Sequence, residues 1–532
     1  MEENADLLLN EEAVLFEQDQ ISKEIESAFS NFSNERPFDL EQCTDIVLSA
    51  LPDTVLLKIF SNLTHPELCH IALVCKHWLW VVYDSELWKF VDFSRCNKVD
   101  EKTIIQLIQS RLSPLLKTLD LSNCSFSPNI VQELTNSCQQ LDTLVLQNCD
   151  LASTLENKLN CLSVPGNLTR LDIRNFKAGF QFMHVILEAQ DMSHLECFGF
   201  GNNHFCPAFT NFQTMFSKMH ALKILECVDC EFISDSEVVI FAKTLKNLES
   251  LVLKNCKNLN GSSLSHLING AKELKSLNLS GTGVNDLALS NVPWEASIIE
   301  EFDLSFCDEI TSAGLIVSIP KMDLLESLLL SNTGRGKAVT GEVLEAAYSV
   351  GNWKHLNVLS LHFANRLFNQ AFSFLQNCSN LQWLSLRTCY RIDFECIAAN
   401  LKFFPRLLGL ECGSLFATGN STNQWMQLLQ SISINCKNMR HLVLLKCVGL
   451  PLSRVTEYKN LLLGCLETMK KLETISVLYS EEAIYNLFES CVNLSSSRAS
   501  VKMSSPVPVI PPFRHSLDSE INKSKFRKYF GY

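Results

Sequence analysis

Apolar residues recur along most of the chain in one nine-residue pattern, Leu-x-x-Leu-x-Leu-x-x-Cys. The segment LKTLDLSNC shows it with Leu116, Leu119, Leu121 and Cys124. The pattern then returns mostly every 25 to 27 residues, and its first apolar position falls on Leu141, Leu168, Leu195, Leu222, Leu248, Leu274, Ile299, Leu325, Leu356, Leu381, Leu407, Met439 and Leu472. A fixed period of this length indicates a repeat protein.

Within each repeat, the central residues alternate as they do in a strand. In LVLQNC, Leu144 and Leu146 are expected to point inward, while Val145 between them faces outward. Segments such as GSSLSHLINGAKE then place apolar residues at helical spacing. One repeat cannot bury its apolar row alone, so neighbouring repeats must stack. The pattern predicts the α/β fold class, as a curved solenoid with parallel strands inside and helices outside.

The array resembles leucine-rich repeats of the cysteine-containing kind over residues 116 to 494, with fourteen copies. A fifteenth copy is predicted in WKFVDFSRC, where Trp88 takes the first position. The last position, where a small buried group fits under a turn, holds Cys96, Cys124, Cys149, Cys230, Cys256, Cys307, Cys389 and Cys447. Cys227 and Cys230 have CxxC spacing, but a structural role is expected because both fall on repeat positions and no second pair stands at zinc-finger distance.

Residues 51 to 91 carry another pattern, with three short apolar faces at helical spacing. In LPDTVLLKIFSNL, Pro52 stands where a helix would start, and apolar residues follow every three or four positions. About forty residues bury too little surface to enclose this many large apolar groups. Because an exposed apolar patch is normally a binding site, the segment predicts a partner at this end of the chain.

The same segment resembles an F-box. The resemblance rests on Leu51, Pro52, Val55, Leu56, Ile59, Phe60, Leu63, Leu68, Val74, Cys75, Lys76, Trp78, Leu87 and Trp88. Thr54 stands where the family often has an acid. The resemblance implies binding to the Skp subunit of an SCF ubiquitin ligase, with cullin and RING subunits joined indirectly, while the repeats select a target protein. It implies that the contacts to Skp come from Leu51, Pro52, Val55, Leu56, Ile59, Phe60, Val74, Cys75 and Trp78. The alternative is a cap that only closes the end of the solenoid.

Charge and composition narrow the function further. The net charge is −13, and residues 1 to 50 hold 13 acids against two bases, so no long basic surface is available for nucleic acid. No stretch approaches the roughly 18 apolar residues of a membrane helix. The 22 cysteines stand in a chain whose start lacks a signal peptide, which favours a reducing cytoplasm or nucleus.

Catalytic motifs do not emerge from the sequence. TGRGKAVTG is similar to a phosphate loop, but Ala338 stands where Ser or Thr would bind magnesium. HExxH, GxSxG and the Cys/His spacing of a RING are not found. We therefore expect a non-catalytic adaptor without metal or cofactor.

Outward strand positions are predicted to line the concave face of the solenoid. The earlier repeats supply a small, acidic column, namely Asp92, Asp120, Val145, Asp172, Gly199, Glu226, Val252, Asn278 and Asp303. A basic partner would suit this column, and an ordinary solvated face is the alternative. The later repeats supply His362, Trp383, Arg387, His441, Val443, Leu445 and Leu478. Because Trp and Arg are favoured interface anchors, the hypothesis is that the target protein binds here. Packing against the C-terminal tail is the competing explanation. GRGKAVTG and ATGNSTNQW are predicted loops in the same region.

The predicted organisation has four parts. Residues 1–48 form an acidic, mostly disordered lead, 49–93 the F-box, 94–494 the solenoid and 495–532 a Ser/Pro-rich basic tail. The tail is expected to be extended or disordered, and a fold-back onto the concave face is one arrangement open to it. The alternative function is a binding or inhibitory leucine-rich-repeat scaffold without ligase partners, which would have no use for an F-box. The identity of the target is not readable from the sequence.

Overall fold

The computed structural model describes residues 51–94, 100–113, 115–151, 164–177, 192–202, 212–413, 422–447, 450, 452–480, 482–495, 499–502 and 513–518. The acidic lead 1–48 and Cys96 lie outside these ranges. The chain forms two compact units. The first comprises residues 1–228 and 517–532, and the second comprises residues 229–516.

The first unit begins with the three helices that the sequence predicts, α1 Asp53–Phe60, α2 His65–Ala72 and α3 Lys76–Val82, followed by a 3-10 turn at Ser85–Trp88. Each start has a local cause. Helix α2 opens with a capping box, in which the Thr64 backbone N–H donates to Glu67 Oε2 at 2.7 Å. Helix α3 opens at Cys75, whose Sγ accepts the Trp78 N–H.

A parallel sheet follows in the first unit. Its strands pair in the order β1 Phe90–Asp92, β2 Thr118–Asp120, β4 Thr143–Val145, β6 Arg170–Arg174, β7 Cys197–Gly201 and β8 Ile224–Val228. A second, two-stranded sheet joins β3 Ser125–Phe126 to β5 Asp150–Leu151. The helical segments are α4 Glu101–Leu107, a π-helical turn Ile108–Leu112, α5 Pro128–Ser137 and α6 Phe212–Ser217. Val91 pairs with Leu119, so the repeat predicted at Trp88 does contribute a strand.

The second unit continues the same plan. Its strands are β9 Ser250–Val252, β10 Ser276–Asn278, β11 Glu301–Asp303, β12 Ser327–Leu329, β13 Val358–Ser360, β14 Trp383–Ser385, β15 Gly409–Cys412, β16 His441–Leu445, β17 Thr474–Leu478 and β18 Ser500–Lys502, all parallel and paired in chain order. Its α-helices are α7 Asp235–Thr244, α8 Leu264–Gly270, α9 Asp286–Ser290, α10 Ser312–Ser318, α11 Gly341–Val350, α12 Phe394–Asn400, α13 Thr422–Asn435, α14 Val455–Thr468 and α15 Glu482–Leu494. Shorter 3-10 segments lie at Trp294–Ala296, Ile319–Lys321, Asn352–His355, Asn369–Asn377, Leu401–Phe403 and Leu452–Arg454.

The end of the sheet differs from the expectation. The tail was predicted to leave the repeats after residue 494, but Ser500–Lys502 forms one further parallel strand. Val501 pairs with Ile475, and the Ser500 N–H donates to the Glu473 carbonyl at 2.8 Å. A strand edge presents unpaired backbone groups, and this segment satisfies them on β17.

Repeat turns are held by two ladders of side chains. Asn123, Asn148 and Asn175 adopt positive φ of 55° to 63°, which asparagine tolerates better than most residues. The Asn148 amide donates to Asn123, and the Asn175 amide donates to Asn148. Beneath them, the Cys149 thiol donates to the Leu121 carbonyl at 2.9 Å. The described cysteines at the predicted template positions are buried thiols, which confirms their structural role.

The two predicted loops of the later repeats have different outcomes. GRGKAVTG forms turns up to Lys337, with Gly334 and Gly336 at positive φ, and its last residue, Gly341, already starts helix α11. Of ATGNSTNQW, the residues up to 421 lie outside the described part, and Thr422 already starts helix α13. Trp425 is fully buried there, so the loop prediction is wrong for the end of this segment. In the ranges that the structure covers, none of the helices is both long and apolar enough to cross a membrane.

Candidate functional site

Helix α1 presents two apolar faces with opposite exposure. Leu56 and Phe60 are 1% and 3% exposed, whereas Val55 and Ile59 are 41% and 44% exposed. Each pair is four residues apart and therefore shares one side of the helix. Phe60 packs edge-on against Trp78, with ring centroids 5.4 Å apart. One face builds the small core and the other remains open to solvent.

The other predicted Skp contacts divide in the same way. Pro52 and Val74 are exposed, while Leu51, Cys75 and Trp78 are half-buried. Leu56 and Phe60 are a correction to the predicted contact set, because both lie inside the helical core and support the surface from beneath. Their burial follows from the position of α1 beside α3, which the Asp53 to His77 contact of 2.7 Å also joins.

Two exposed apolar residues were missed by sequence reasoning. Leu73 lies at the end of α2, and Trp80 is 72% exposed on α3. Helix α3 buries Val81 and Val82, so Trp80 lies off its buried face. The sequence signal that could have identified Trp80 was its position outside the apolar stripe of helix α3. We define the F-box surface as Pro52, Val55, Ile59, Leu73, Val74 and Trp80. Its residues are spread over positions 52 to 80, and exposed apolar groups of this kind mark interaction sites.

The acidic column of the first unit is solvated only in part, because Asp92 is exposed whereas three other acids are buried. Asp120, Asp172 and Glu226 are each at most 3% exposed. Asp120 accepts the Ser122 N–H at 2.8 Å, and Asp172 accepts the Arg174 N–H at 3.0 Å. In each of these hydrogen bonds, an acid accepts the backbone N–H of the residue two positions later, which satisfies a polar backbone group at the end of the strand. They do not explain the burial, which has a more distant cause.

Residues 517 and 518 cover part of this column. Leu517 is fully buried and packs with Val145, Cys197 and Ile224. Its backbone N–H donates to Glu226 Oε1 at 2.7 Å. The fold-back of the tail is therefore realised in these residues, and the solvated-face explanation is wrong here.

A charged cluster surrounds Leu517. Arg174 contacts Asp172 Oδ2 at 2.7 Å and Glu226 Oε2 at 2.8 Å, and its other partner is Asp518. Three carboxylates therefore share one guanidinium. Burial raises the pKa of Glu226 to about 7, and the nearby Asp518 charge adds to this effect while Arg174 opposes it. Burial likewise raises the pKa of Asp172.

In the second unit, a basic residue of the tail binds acidic strand positions. The Arg514 guanidinium lies 2.9 Å from Glu300 Oε2 and 3.0 Å from Glu326 Oε2. The Arg514 backbone N–H also donates to Glu301 Oε1 at 2.7 Å. These glutamates do not belong to the predicted acidic column, so the suitability of that column for a basic partner stays a prediction.

The later repeats hold a packed apolar cluster. Val443, Leu445 and Leu478 are at most 3% exposed and contact one another, and the half-buried Trp383 packs against them. Trp383 also stacks on His441 with ring centroids 5.6 Å apart. The prediction of Val443 and Leu445 as open target-binding residues is wrong, because both are buried. They pack on one another and on Trp383, whereas the competing explanation, packing against the C-terminal tail, stays a prediction for them.

His362 and Arg387 are half-buried, each two residues beyond the end of one of the adjacent strands β13 and β14. Burial and the neighbouring Arg387 charge lower the pKa of His362 to about 4, so the imidazole is neutral at physiological pH. His362 Nε2 and Arg387 Nε make no hydrogen bond. Their role in binding a target stays a prediction, as does that of Trp383 and His441.

Comparison with known proteins agrees with this architecture. Residues 48–94 match the family model described as F-box-like. The chain is 24% identical over 264 residues to F-box/LRR-repeat protein 12 of Bos taurus, covering 43% of this chain and 78% of that protein. It is 26% identical over 278 residues to lysine-specific demethylase 2B of Mus musculus, covering 51% of this chain but 19% of that protein. A solved chain of the yeast Rad7 and Elc1 complex superimposes with a TM-score of 0.43 at 15% identity, over 79% of this chain and 94% of that one.

The chain thus carries an F-box-like domain followed by leucine-rich repeats, which is the architecture of F-box and leucine-rich-repeat proteins. Both the predicted resemblance and the predicted α/β repeat fold are confirmed.

Proposed function

We propose that this chain is the substrate-recognition subunit of an SCF-type E3 ubiquitin ligase. The observation that carries the proposal is the F-box-like segment at residues 48–94 whose apolar side chains remain exposed in the free chain. Such a surface calls for a partner, and for an F-box that partner is the Skp adaptor. Cullin and RING subunits would join through Skp.

The mechanism is one of proximity. The repeats hold a target protein while the F-box surface attaches the chain to the ligase, which brings a charged ubiquitin-conjugating enzyme near the target's lysines. This chain then needs no catalytic group of its own. The match to a lysine-specific demethylase covers 19% of that protein, so its named activity is not carried over. The proposed place of action is the cytoplasm, the nucleus or both, where ubiquitin ligases work.

The alternative is a leucine-rich-repeat scaffold that binds or inhibits a partner without ligase subunits. A capping segment would have no need of the exposed Val55 and Ile59, because a cap presents a polar outer face to water. Their exposure therefore favours the ligase subunit.

A pull-down with purified Skp tests the proposal. The variant carries Pro52→Ala, Val55→Ala and Ile59→Ala, all at exposed positions, so its fold should be retained. The matched control carries Val317→Ala, Leu324→Ala and Ile434→Ala, which are exposed apolar residues of the second unit. The wild type and the control should retain Skp, and the F-box variant should lose it. Equal retention by all three, or by none, would favour the scaffold.

A further inference from the structure

A pocket on the outward strand face of the first unit holds the side chain of Leu517. We propose that this pocket is a recognition site for a leucine followed by an acidic residue in a target protein, and that Leu517 and Asp518 occupy it until a target displaces them. We define the leucine pocket as Val145, Cys197, Gly199 and Ile224. The inference rests on the proposed function only in assigning the displacing segment to a ligase target.

The shape of the pocket selects a leucine. Val145, Cys197 and Ile224 surround the Leu517 side chain, which is fully buried. Gly199 forms the floor, and a Cβ at this position would overlap the Leu517 side chain. The glycine therefore leaves the space that the leucine fills. Burial of the whole leucine side chain makes it the main apolar anchor of this short segment.

The backbone of the bound segment is fixed by a buried acid. Glu226 Oε1 accepts the Leu517 N–H at 2.7 Å, while Glu226 Oε2 contacts Arg174 at 2.8 Å. Any segment that places a leucine in the pocket presents the same N–H. Without it, a buried carboxylate oxygen would lose this donor, which is unfavourable.

Arg174 recognises the negative charge of the residue that follows the leucine. Its guanidinium is held by Asp172 through Nε and Nη2, and the same Nη2 contacts Asp518. The Asp172 contact fixes the plane of the guanidinium and leaves one side directed at residue 518. Asp518 is 57% exposed, so an aspartate or a glutamate of another chain can take its place from the solvent side.

The occupant is a segment of the same chain, held by the Leu517 N–H bond to Glu226 and by the Asp518 contact to Arg174. A tethered segment acts at an effective concentration on the order of 1 mM, and a target with the same two residues plus contacts elsewhere can exceed this. Whether the tail or the target occupies the leucine pocket then depends on their relative affinities for it.

The experiment measures fluorescence anisotropy of a labelled peptide with residues 516–523, SLDSEINK, added to full-length protein without Skp. The variant Leu517→Ala with Asp518→Ala should bind the peptide at least tenfold more tightly than the wild type, because its own tail no longer competes. Adding Gly199→Val to this variant should abolish peptide binding. A peptide with alanine in place of leucine should not bind the variant. Leu494→Ala, at an exposed leucine elsewhere, is the control and should behave as the wild type.

Asp518→Ala alone serves as the second variant, because its exposed side chain can be lost without harm to folding. It should strengthen peptide binding about threefold. If it folds, by circular dichroism, and binds the peptide no better than the wild type, the pocket is only a packing site and the proposal is wrong. Skp pull-downs on the same proteins test the ligase proposal separately from the pocket. If none of these proteins binds Skp, the ligase proposal is wrong, but the peptide-binding result still stands.

Discussion

The F-box surface and the outward strand face of the first unit break the usual rule of burial in opposite directions. The first exposes apolar side chains such as Val55 and Ile59, and the second buries carboxylates such as Asp172 and Glu226. Apolar groups normally lie inside and charged groups outside unless they are paired. The buried acids have their partners within the chain, at Arg174 and Leu517. The described part of the chain leaves the exposed apolar groups open to solvent, and Skp is their proposed partner. The predictions below test this contrast, from the largest expected effect to the smallest.

Phe60→Ala should lower the free energy of unfolding by about 3 to 5 kcal/mol, because it opens a cavity against Trp78 in the helical core. Its neighbour Ile59→Ala should change the same quantity by less than about 0.5 kcal/mol, because the side chain is exposed. Urea unfolding followed by circular dichroism measures both. Equal losses would mean that the two faces of α1 do not differ as described.

Ile59→Asp should weaken Skp binding at least 100-fold, or about 2.7 kcal/mol, because a charge would be buried in an apolar contact. Ile434→Asp is the matched control, since Ile434 is an exposed isoleucine on helix α13. Titration calorimetry with Skp gives both affinities. A similar loss for both variants would point to a general effect of charge, and no loss for Ile59→Asp would place the contact elsewhere.

Glu226→Gln should change how stability depends on pH. The raised pKa of Glu226, about 7, keeps the folded carboxyl protonated where the unfolded one, near 4.5, has ionised. The folded chain therefore binds more protons between these values, and its free energy of unfolding falls as pH rises through this window. Glutamine cannot ionise, so the stability of the variant relative to the wild type should rise by about 2 kcal/mol from pH 5 to pH 8. Urea unfolding at both values measures it, and a constant difference would contradict the raised pKa.

Trp383→Ala should cost about 1 to 2 kcal/mol of stability, because the half-buried ring packs on the Val443, Leu445 and Leu478 cluster and stacks on His441. Trp80→Ala, at an exposed tryptophan, should cost almost nothing. Thermal unfolding compares the two. Once a target is known, unchanged capture by a folded Trp383→Ala variant would exclude this residue from the binding site.

Sequence periodicity was sufficient for the repeated elements. The strand at Leu144 and the helix starts at Thr64 and Cys75 follow from spacing and local caps, which are properties of a few consecutive residues. The exposed Val55 and buried Leu56 were not separated by the sequence, because two adjacent apolar residues carry no sign of which one faces the core. Packing of α1 against α3 decides it.

The buried acids could not be predicted for a different reason. Asp172 and Glu226 read as ordinary outward positions, and their burial comes from Leu517, which no local pattern links to them. Gly199 was the available signal, since a glycine at an outward strand position marks a place where something approaches closely. The strand at Ser500–Lys502 was missed because the Ser-rich composition around it indicated disorder.

Size-exclusion chromatography of the full chain mixed with Skp and a cullin tests the central claim most directly. The account predicts one peak that contains all three proteins in equal amounts, and its loss when Ile59→Asp replaces the wild type while Ile434→Asp leaves it unchanged. A wild-type chain that elutes alone, folded and separate from a Skp and cullin complex, would contradict the assignment to an SCF ligase.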